Sequence, residues 1–339
     1  MKALALFSGG LDSLLAIKLI QEAGVEVEAV YFLQPFLGPE EENKVVTHLQ
    51  KLISQLGVKL HIVRLGEDYL RMLENPKHGY GKAANPCLDC HIFFLRKAGQ
   101  MMKELGASFL ITGEVVGQRP KSQYRGAFPK IDEETELAGL IVRPLSARLL
   151  PPTIPEKNGW ISLDHCPSIQ GRQRKIQLEL AKKYNLEYAA PAGGCLLTNV
   201  EYGRKVKDLF RADGQLTIDG LRLLRIGRHF RLSTHFKGII GRNHQENQVL
   251  FSYFFQHRRV DNLYLLKALG APGPLTLGIG SPAAEDLERL ALFTSRYSDH
   301  EPYTSVEVKV LVSGNRPHHL RLSVEKKPGE PESDRFRIT

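Results

Sequence analysis

Ser8-Gly9-Gly10-Leu11-Asp12-Ser13 follows the apolar run Ala3-Leu4-Ala5-Leu6-Phe7 and precedes Leu14-Leu15-Ala16-Ile17-Lys18-Leu19-Ile20. The apolar run is short and sharply bounded, so it reads as a buried first strand. The segment after the loop has a helix-forming composition. A glycine-rich turn between strand and helix leaves backbone N–H groups free at the helix N-terminus, where they and the helix dipole favour an anion. Gly9 and Gly10 let the backbone approach a ligand closely, and Ser8 and Ser13 add hydroxyl donors. Asp12 sits badly beside a phosphate unless a metal ion or a reacting group offsets its charge. The loop lacks the Gly-Lys-Ser/Thr ending of a Walker A motif. An ordinary strand–helix turn is the plain alternative, and the full string at this position weighs against it.

Outward from this loop, strand and helix alternate. Val27–Leu33 reads as a second strand, and roughly Glu41–Leu56 as a helix with Val45, Val46, Leu49, Leu52, Ile53 and Leu56 at helical spacing. Lys59–Arg64 is a third strand, about Cys90–Leu105 a helix, and Ser108–Thr112 a fourth strand. This order predicts a parallel sheet covered by helices on both faces. Ligands of such sheets bind beyond the carboxyl ends of the strands. The loops Ser8–Ser13, Gln34–Pro39 and Gly113–Gln123 are therefore expected to converge.

A chain of 339 residues exceeds one typical domain. The expected division is a parallel α/β domain over 1–200 and a smaller α+β domain over 201–339. No stretch approaches the ~20 apolar residues that cross a bilayer, and the first strand leaves no room for a signal peptide. A cytoplasmic protein without membrane contact is expected. Four cysteines in this length do not form a disulfide framework, which leaves thiolates free for metals or catalysis. The oligomeric state stays open, a homodimer being one option.

Three of those cysteines carry a second signal. Cys87 and Cys90 lie in Asn85-Pro86-Cys87-Leu88-Asp89-Cys90-His91 at a helix start, where two thiolates can share a metal and the helix dipole is expected to lower their pKa. Cys195 follows Pro191-Ala192-Gly193-Gly194, whose paired glycines again permit close backbone approach. Zinc would need four ligands, with His91 or Cys166 as candidates. A three-cysteine iron–sulfur cluster would leave one iron open. A persulfide–disulfide pair is the third option. Cys166 reads as a buried, inert thiol, with a fourth ligand or persulfide carrier as its functional alternative.

The string at residues 8–13 resembles the PP-loop of the ATP pyrophosphatase superfamily, whose members adenylate an oxygen and release pyrophosphate. That resemblance implies ATP held by Ser8, Gly9, Gly10, Asp12 and Ser13, with Mg²⁺ among the phosphates. It implies adenine at Tyr31 and Phe32, and ribose and phosphates near Thr112 and Gly113. The motifs at Ser8–Ser13, Asn85–His91 and Gly194–Thr198, in that order, are similar to the tRNA-thiolating branch of the superfamily. The branch implies a 4Fe-4S cluster on Cys87, Cys90 and Cys195, these three and Asp12 being catalytic, with tRNA and a sulfide or persulfide donor as partners. The chain lacks the N-terminal RNA-binding module of 4-thiouridine synthases and the paired zinc motifs of another branch, so the target nucleotide is not implied.

Beyond residue 200 the alternation stops. Arg222, Arg225, Arg228 and Arg231 form a dense row within Ile218–Leu232, and Lys237–Asn247, Leu275–Gly278 and Val306–Val312 read as short β-type stretches beside a helical Ala284–Thr294. The tail after Lys326 reads as a loop. Residues 201–339 hold 22 Lys/Arg against 16 Asp/Glu, a net +6 of the chain's +9. That concentration suits RNA, as it would suit a solvated basic face. Gly227-Arg228-His229-Phe230-Arg231 and Gly241–Asn247 resemble the NFACT RNA-binding module of ribosome-quality-control proteins. Arg119, Lys121, Arg172, Arg174, Lys175, Arg228 and Arg242 are the candidate RNA contacts. The expected function is ATP-dependent tRNA sulfurtransfer to a uridine. The alternatives are a non-thiolating ligase or amidotransferase with structural zinc, and an RNA- or ribosome-binding protein with a regulatory nucleotide site.

Overall fold

The computed structural model describes residues 1–189, 195–212, 217–326 and 332–338. Two compact units emerge: Met1–Gly81 with Asn85–Cys195, and Lys82–Ala84 with Leu196–Thr339. The division falls at Cys195/Leu196. The short segment Lys82–Ala84 joins the second unit because the Ala84 N–H donates to Leu197 O and Gly203 packs against Ala83.

The first unit runs β1 (Lys2–Leu6), α1 (Leu11–Glu22), β2 (Glu26–Leu33), α2 (Pro39–Ser54), β3 (Lys59–Arg64), α3 (Glu67–Glu74), α4 (Cys87–Glu104), β4 (Phe109–Thr112), α5 (Ala127–Glu134), β5 (Ile141–Val142), α6 (Ile154–Lys157) and α7 (Lys175–Lys183). Its five strands are all parallel in the order β3-β2-β1-β4-β5. Strand β1 is central and buried on both faces, which is why it reads as unbroken apolar sequence. Ala3 and Ala5 face a core built with α1, α2 and α7, whereas Leu4 faces the core under α4 and α5. From β1 the chain moves one way to β2 and β3 and then returns to β4 on the other side. The carboxyl ends of β1 and β4 therefore flank the topological switch point, where such sheets open a crevice.

The second unit comprises α8 (Val200–Ala212), α9 (Ile218–Leu223), β6 (Arg228–Ser233), β7 (Phe236–Ile240), α10 (His244–Gln256), β8 (Leu263–Ala268), β9 (Leu275–Gly280), α11 (Ala284–Arg296), β10 (Ser305–Val312), β11 (His318–Glu325) and α12 (Glu332–Phe336). Its sheet is antiparallel in the order β11-β10-β8-β9-β7-β6. α11 packs on one face through Leu290, Ala291 and Phe293, and α10 on the other through Leu250 and Phe254. Three readings are corrected here. Lys237–Asn247 is not wholly β-type: β7 ends at Ile240, and the Asn243 side chain accepts from the Glu246 N–H to cap α10. The arginine row is broken, Arg222 lying on α9 and Arg228 and Arg231 on β6. Of the tail after Lys326, residues 327–331 and 339 lie outside the described residues, and Glu332–Phe336 is helical rather than loop. No described helix is long and apolar enough to cross a membrane.

Candidate active site

The first loop is shaped by what it excludes. Gly9 has φ +78, and a Cβ there would lie 2.5 Å from Leu49 Cδ2. Ser13 Oγ donates to Gly10 O at 2.8 Å and lies 3.2 Å from Ser8 Oγ, so the two hydroxyls brace the turn. Opposite them, a Cβ on Gly113 would sit 2.6 Å from Ser13 N and 2.7 Å from Asp12 C. The loop after β4 thus lies directly on the loop after β1, as the switch point requires. Gln118 Nε2 donates to Asp12 Oδ2 at 3.1 Å, while Asp12 Oδ1 is buried without a hydrogen-bond partner among the described residues. An orphaned carboxylate oxygen beside a cradle free of side chains fits a triphosphate with its cation.

Behind this cradle lies a buried charge network. Glu114 accepts from Thr112 Oγ1 at 3.0 Å and Arg143 Nε at 2.9 Å, and its other oxygen lies 3.2 Å from His91 Nδ1. Arg143, at the end of β5, also pairs with Asp132 at 2.8 Å and stacks its guanidinium over Phe128 at 4.3 Å. Burial alone would raise the Glu114 carboxyl. Arg143 and His91 outweigh it and hold it down to about 2. Glu114 is therefore an anion that fixes the ring of the residue next to Cys90.

Cys87 and Cys90 occupy the first turn of α4, which starts at Cys87, three residues before the expected boundary. The expectation that the helix dipole lowers both thiols fails at Cys90. Burial pushes that thiol up to about 12, outweighing the hydrogen bond with Tyr69, which lowers it. Desolvation wins because Cys90 is buried, and the cost of taking a thiolate out of water exceeds what the helix terminus returns. A continuous set of contacts joins Cys195 to Cys90. Cys195 Sγ lies 4.0 Å from Gln34 Oε1, Gln34 Nε2 donates to Tyr69 Oη at 3.2 Å, and Tyr69 Oη lies 3.6 Å from Cys90 Sγ. Cys87 Sγ accepts from Asn85 Nδ2 at 3.1 Å. Among the described residues no three His, Cys, Asp or Glu side chains stand together at metal-ligating distance. The donor set is nonetheless three thiols, two on one helical turn and a third joined to Cys90 through Gln34 and Tyr69, a chemistry that fits a cluster on sulfur. Gly193 and Gly194 lie outside the described residues.

Asp89, between the two thiols, is buried and accepts from the His78 N–H at 3.1 Å. His78 in turn lies 2.9 Å from Glu134 Oε1. Cys166 is separate from all of this. It is 2% exposed in the core beside α1, burial pushes it up to about 12, and its neighbour His165 contacts Leu19 O, near the end of α1 remote from the first loop. Its role as fourth ligand or persulfide carrier is not supported.

Tyr31 and Phe32 are adjacent on β2 and so face opposite sides of the sheet. Tyr31 packs into the α1-side core, and Phe32 stacks on Phe94 at 5.5 Å. The pair cannot clasp one adenine ring between two side chains. Arg119 and Lys121 are exposed on the loop after β4, Arg172 and Lys175 are exposed before and at the start of α7, and Arg174 Nε is buried without a partner among the described residues. Arg228 stacks over Tyr297 at 4.5 Å, and Arg242 is clamped by Glu246 at 2.5 Å. Tyr69, Arg143, Asp132 and Gln118 were not foreseen. The only advance sign was that Gln118 lies in a loop expected at the crevice.

Residues 1–147 match the family model described as thiamine biosynthesis protein (ThiI), and residues 227–331 match that of the NFACT protein RNA binding domain. The tRNA-specific 2-thiouridylase MnmA of Campylobacter curvus is 34% identical over 123 residues, 34% of this chain and 35% of that protein. A probable tRNA sulfurtransferase of Thermoanaerobacter sp. is 36% identical over 121 residues, 34% of this chain and 30% of that protein. The chain thus spans about a third of the length of these curated relatives. The U34-tRNA thiolase NcsA of Methanococcus maripaludis, solved with its 4Fe-4S cluster, aligns with 63% of this chain and 66% of its own. Its identity is 19% and its TM-score 0.35, too low to bear on function. In its first unit the chain resembles the tRNA-thiolating branch of the PP-loop superfamily, and in its second the NFACT RNA-binding module.

Proposed function

We propose that the chain is an ATP-dependent sulfurtransferase that replaces a uridine oxygen of tRNA with sulfur. One observation carries the reading: the Gly9/Gly113 cradle and the Cys195–Gln34–Tyr69–Cys90 contacts meet at one carboxyl edge of one parallel sheet. In this reading the backbone of Ser8–Ser13 holds the phosphates of ATP, and Asp12 Oδ1 gains a Mg²⁺ ion as partner. The uridine carbonyl oxygen attacks the α-phosphorus and pyrophosphate leaves. A sulfur nucleophile adds at the activated carbon, and AMP departs with the oxygen. Activation is needed because the bare oxygen is a poor leaving group. Cys87, Cys90 and Cys195 would hold a 4Fe-4S cluster, which when bound supplies an open iron for sulfide. Gln34 and Tyr69 orient the thiols, and the buried Tyr69 closes the floor beneath Cys90. Basic residues of the second unit, with Arg119, Lys121, Arg172, Arg174 and Lys175 of the first, would hold RNA phosphates in a cytoplasmic enzyme.

The test is anaerobic purification with assays of iron, acid-labile sulfide and zinc, beside a Cys195→Ala variant and an assay of sulfur transfer to tRNA. About four irons and four sulfides per chain, lost together with transfer in the variant, support the reading. Stoichiometric zinc shifts it to a non-thiolating ligase. An active chain free of metal shifts it to persulfide chemistry.

A further inference from the structure

We propose that the second unit carries a discrete pocket that holds a single phosphate group, formed by Lys205, Arg228, Arg242 and Arg337. The inference rests on the reading that this unit binds RNA, and it specifies where and how. The cavity is about 130 Å³ and is also lined by Glu201, Gly227, His229 and Ile338. That is well above the roughly 10–15 Å³ that a single water needs, which leaves room for a phosphate group.

Four separate segments build it. α8 supplies Glu201 and Lys205, the turn into β6 supplies Gly227–His229, and the loop after β7 supplies Arg242. The C-terminal segment is stitched alongside β6 by a bridge between Phe230 and Arg337 and by the Ile338 N–H donating to His229 O at 3.0 Å. Gly227 has φ +70, and a Cβ there would meet Ile240 O at 2.5 Å, so the turn admits no side chain.

The charges do not cancel. Arg242 is matched by Glu246, whose Oε2 also accepts the N–H groups of Gly227 and Arg242. Lys205 is buried and lies 3.3 Å from Glu201, a carboxylate that is itself mostly in solvent. Arg228 stacks on Tyr297, and neither it nor Arg337 has a carboxylate at ion-pair distance among the described residues. Two cations thus remain uncompensated among residues of a lining that also includes the buried Lys205. His229 reports the same field: its Nε2 lies 2.8 Å from Ile226 O and its buried Nδ1 has no partner among the described residues. Burial, then Lys205 and Lys237, hold its pKa well below the usual range. A phosphate is the small anion that uses several convergent guanidinium and ammonium donors at once.

The phosphate may be supplied by an RNA backbone or by a terminal monoester, and the arms of the test separate them. The full chain is titrated with a short RNA bearing a 5′-hydroxyl or a 5′-phosphate, across a salt series, for wild type, Arg228→Ala, Arg337→Ala and the double variant. Each single variant is expected to bind several-fold more weakly, with a salt slope lower by about 0.7, the value for one phosphate of a single strand. Because both arginines serve one phosphate, the double variant loses no more slope than a single. A loss of about 1.4 in the double variant would mean two independent contacts and would overturn the pocket, as would wild-type affinity and slope in all variants. Preference for the 5′-phosphate that vanishes with Arg228 assigns a terminal monoester, and equal binding assigns the backbone. Wild type that ignores both RNAs refutes the RNA reading alone. The pocket then stands if inorganic phosphate raises the unfolding temperature of wild type and not of the double variant, and falls if it does not.

Discussion

Replacing Glu114 by Gln keeps the shape of a fully buried side chain and removes its charge. The carboxyl is held at about 2 against an ordinary 4.5, a displacement worth about 3 kcal/mol at 1.36 kcal/mol per unit. Breaking one partner of a buried ion pair costs about 3–5 kcal/mol, and Asp132 still holds the far edge of Arg143, so the lower end applies. For a unit of this size, that shift lowers the unfolding temperature by roughly 6–12 °C. The sign in pH follows from the depressed pKa. In wild type the contribution is complete above about 4.5 and drains away as pH falls toward 2, whereas Glu114→Gln shows no such loss from this site. Urea unfolding of both proteins at pH 7 and at pH 3 measures it. Adding Arg143→Met to Glu114→Gln should recover part of the loss, because removing both buried charges is less costly than stranding one. A change under about 1 kcal/mol at pH 7, or parallel pH curves, would show that the network does not hold the carboxylate as described.

Two further outcomes are expected. Gly113→Ala should lower stability by about 1–3 kcal/mol through overpacking and weaken ATP binding, because its methyl group meets the backbone of Asp12 and Ser13; calorimetric titration with ATP and a thermal melt check both, and undisturbed binding would contradict the contact between the two loops. In chain stripped of metal, iodoacetamide at pH 8 should label exposed Cys195 and spare Cys90 and Cys166, both pushed to about 12 and so thiolate in only about one molecule in ten thousand; peptide mass spectrometry reads the order, and fast labelling of Cys90 would contradict its burial.

β1 and β4 could be read because a parallel strand buried on both faces leaves an unbroken apolar signature, while the edge strand β3, only partly buried, is bounded by Gly57 and Gly66 and falls at Lys59–Arg64 as expected. Of the loops named for convergence, those after β1 and β4 do meet, since strand order decides which carboxyl ends are neighbours. What could not be read depends on distant partners. Arg143 looks like a surface arginine until Glu114 and Asp132, 29 and 11 positions away, enclose it. Tyr69 sits on an eight-residue helix too short to show a period, yet it forms the floor beneath Cys90. The Cys90 thiol shifts opposite to the direction its helix terminus implies, because a helix terminus is visible in sequence and burial is not. In the second half, the cap at Asn243 converts an apparent β-type stretch into the start of α10.

The carboxylate of Asp89 joins the backbone of His78, and through its ring Glu134, to the turn that bears Cys87 and Cys90. None of these bonds uses sulfur. The helix carrying the thiols therefore owes its shape to groups that neither oxidise nor release a metal. This part of the fold is thus held by bonds that need no metal, unlike small domains that are ordered only when metal is bound. Reversible oxidation of the exposed Cys195 would leave these bonds in place, so that change and its reversal need not pass through unfolding.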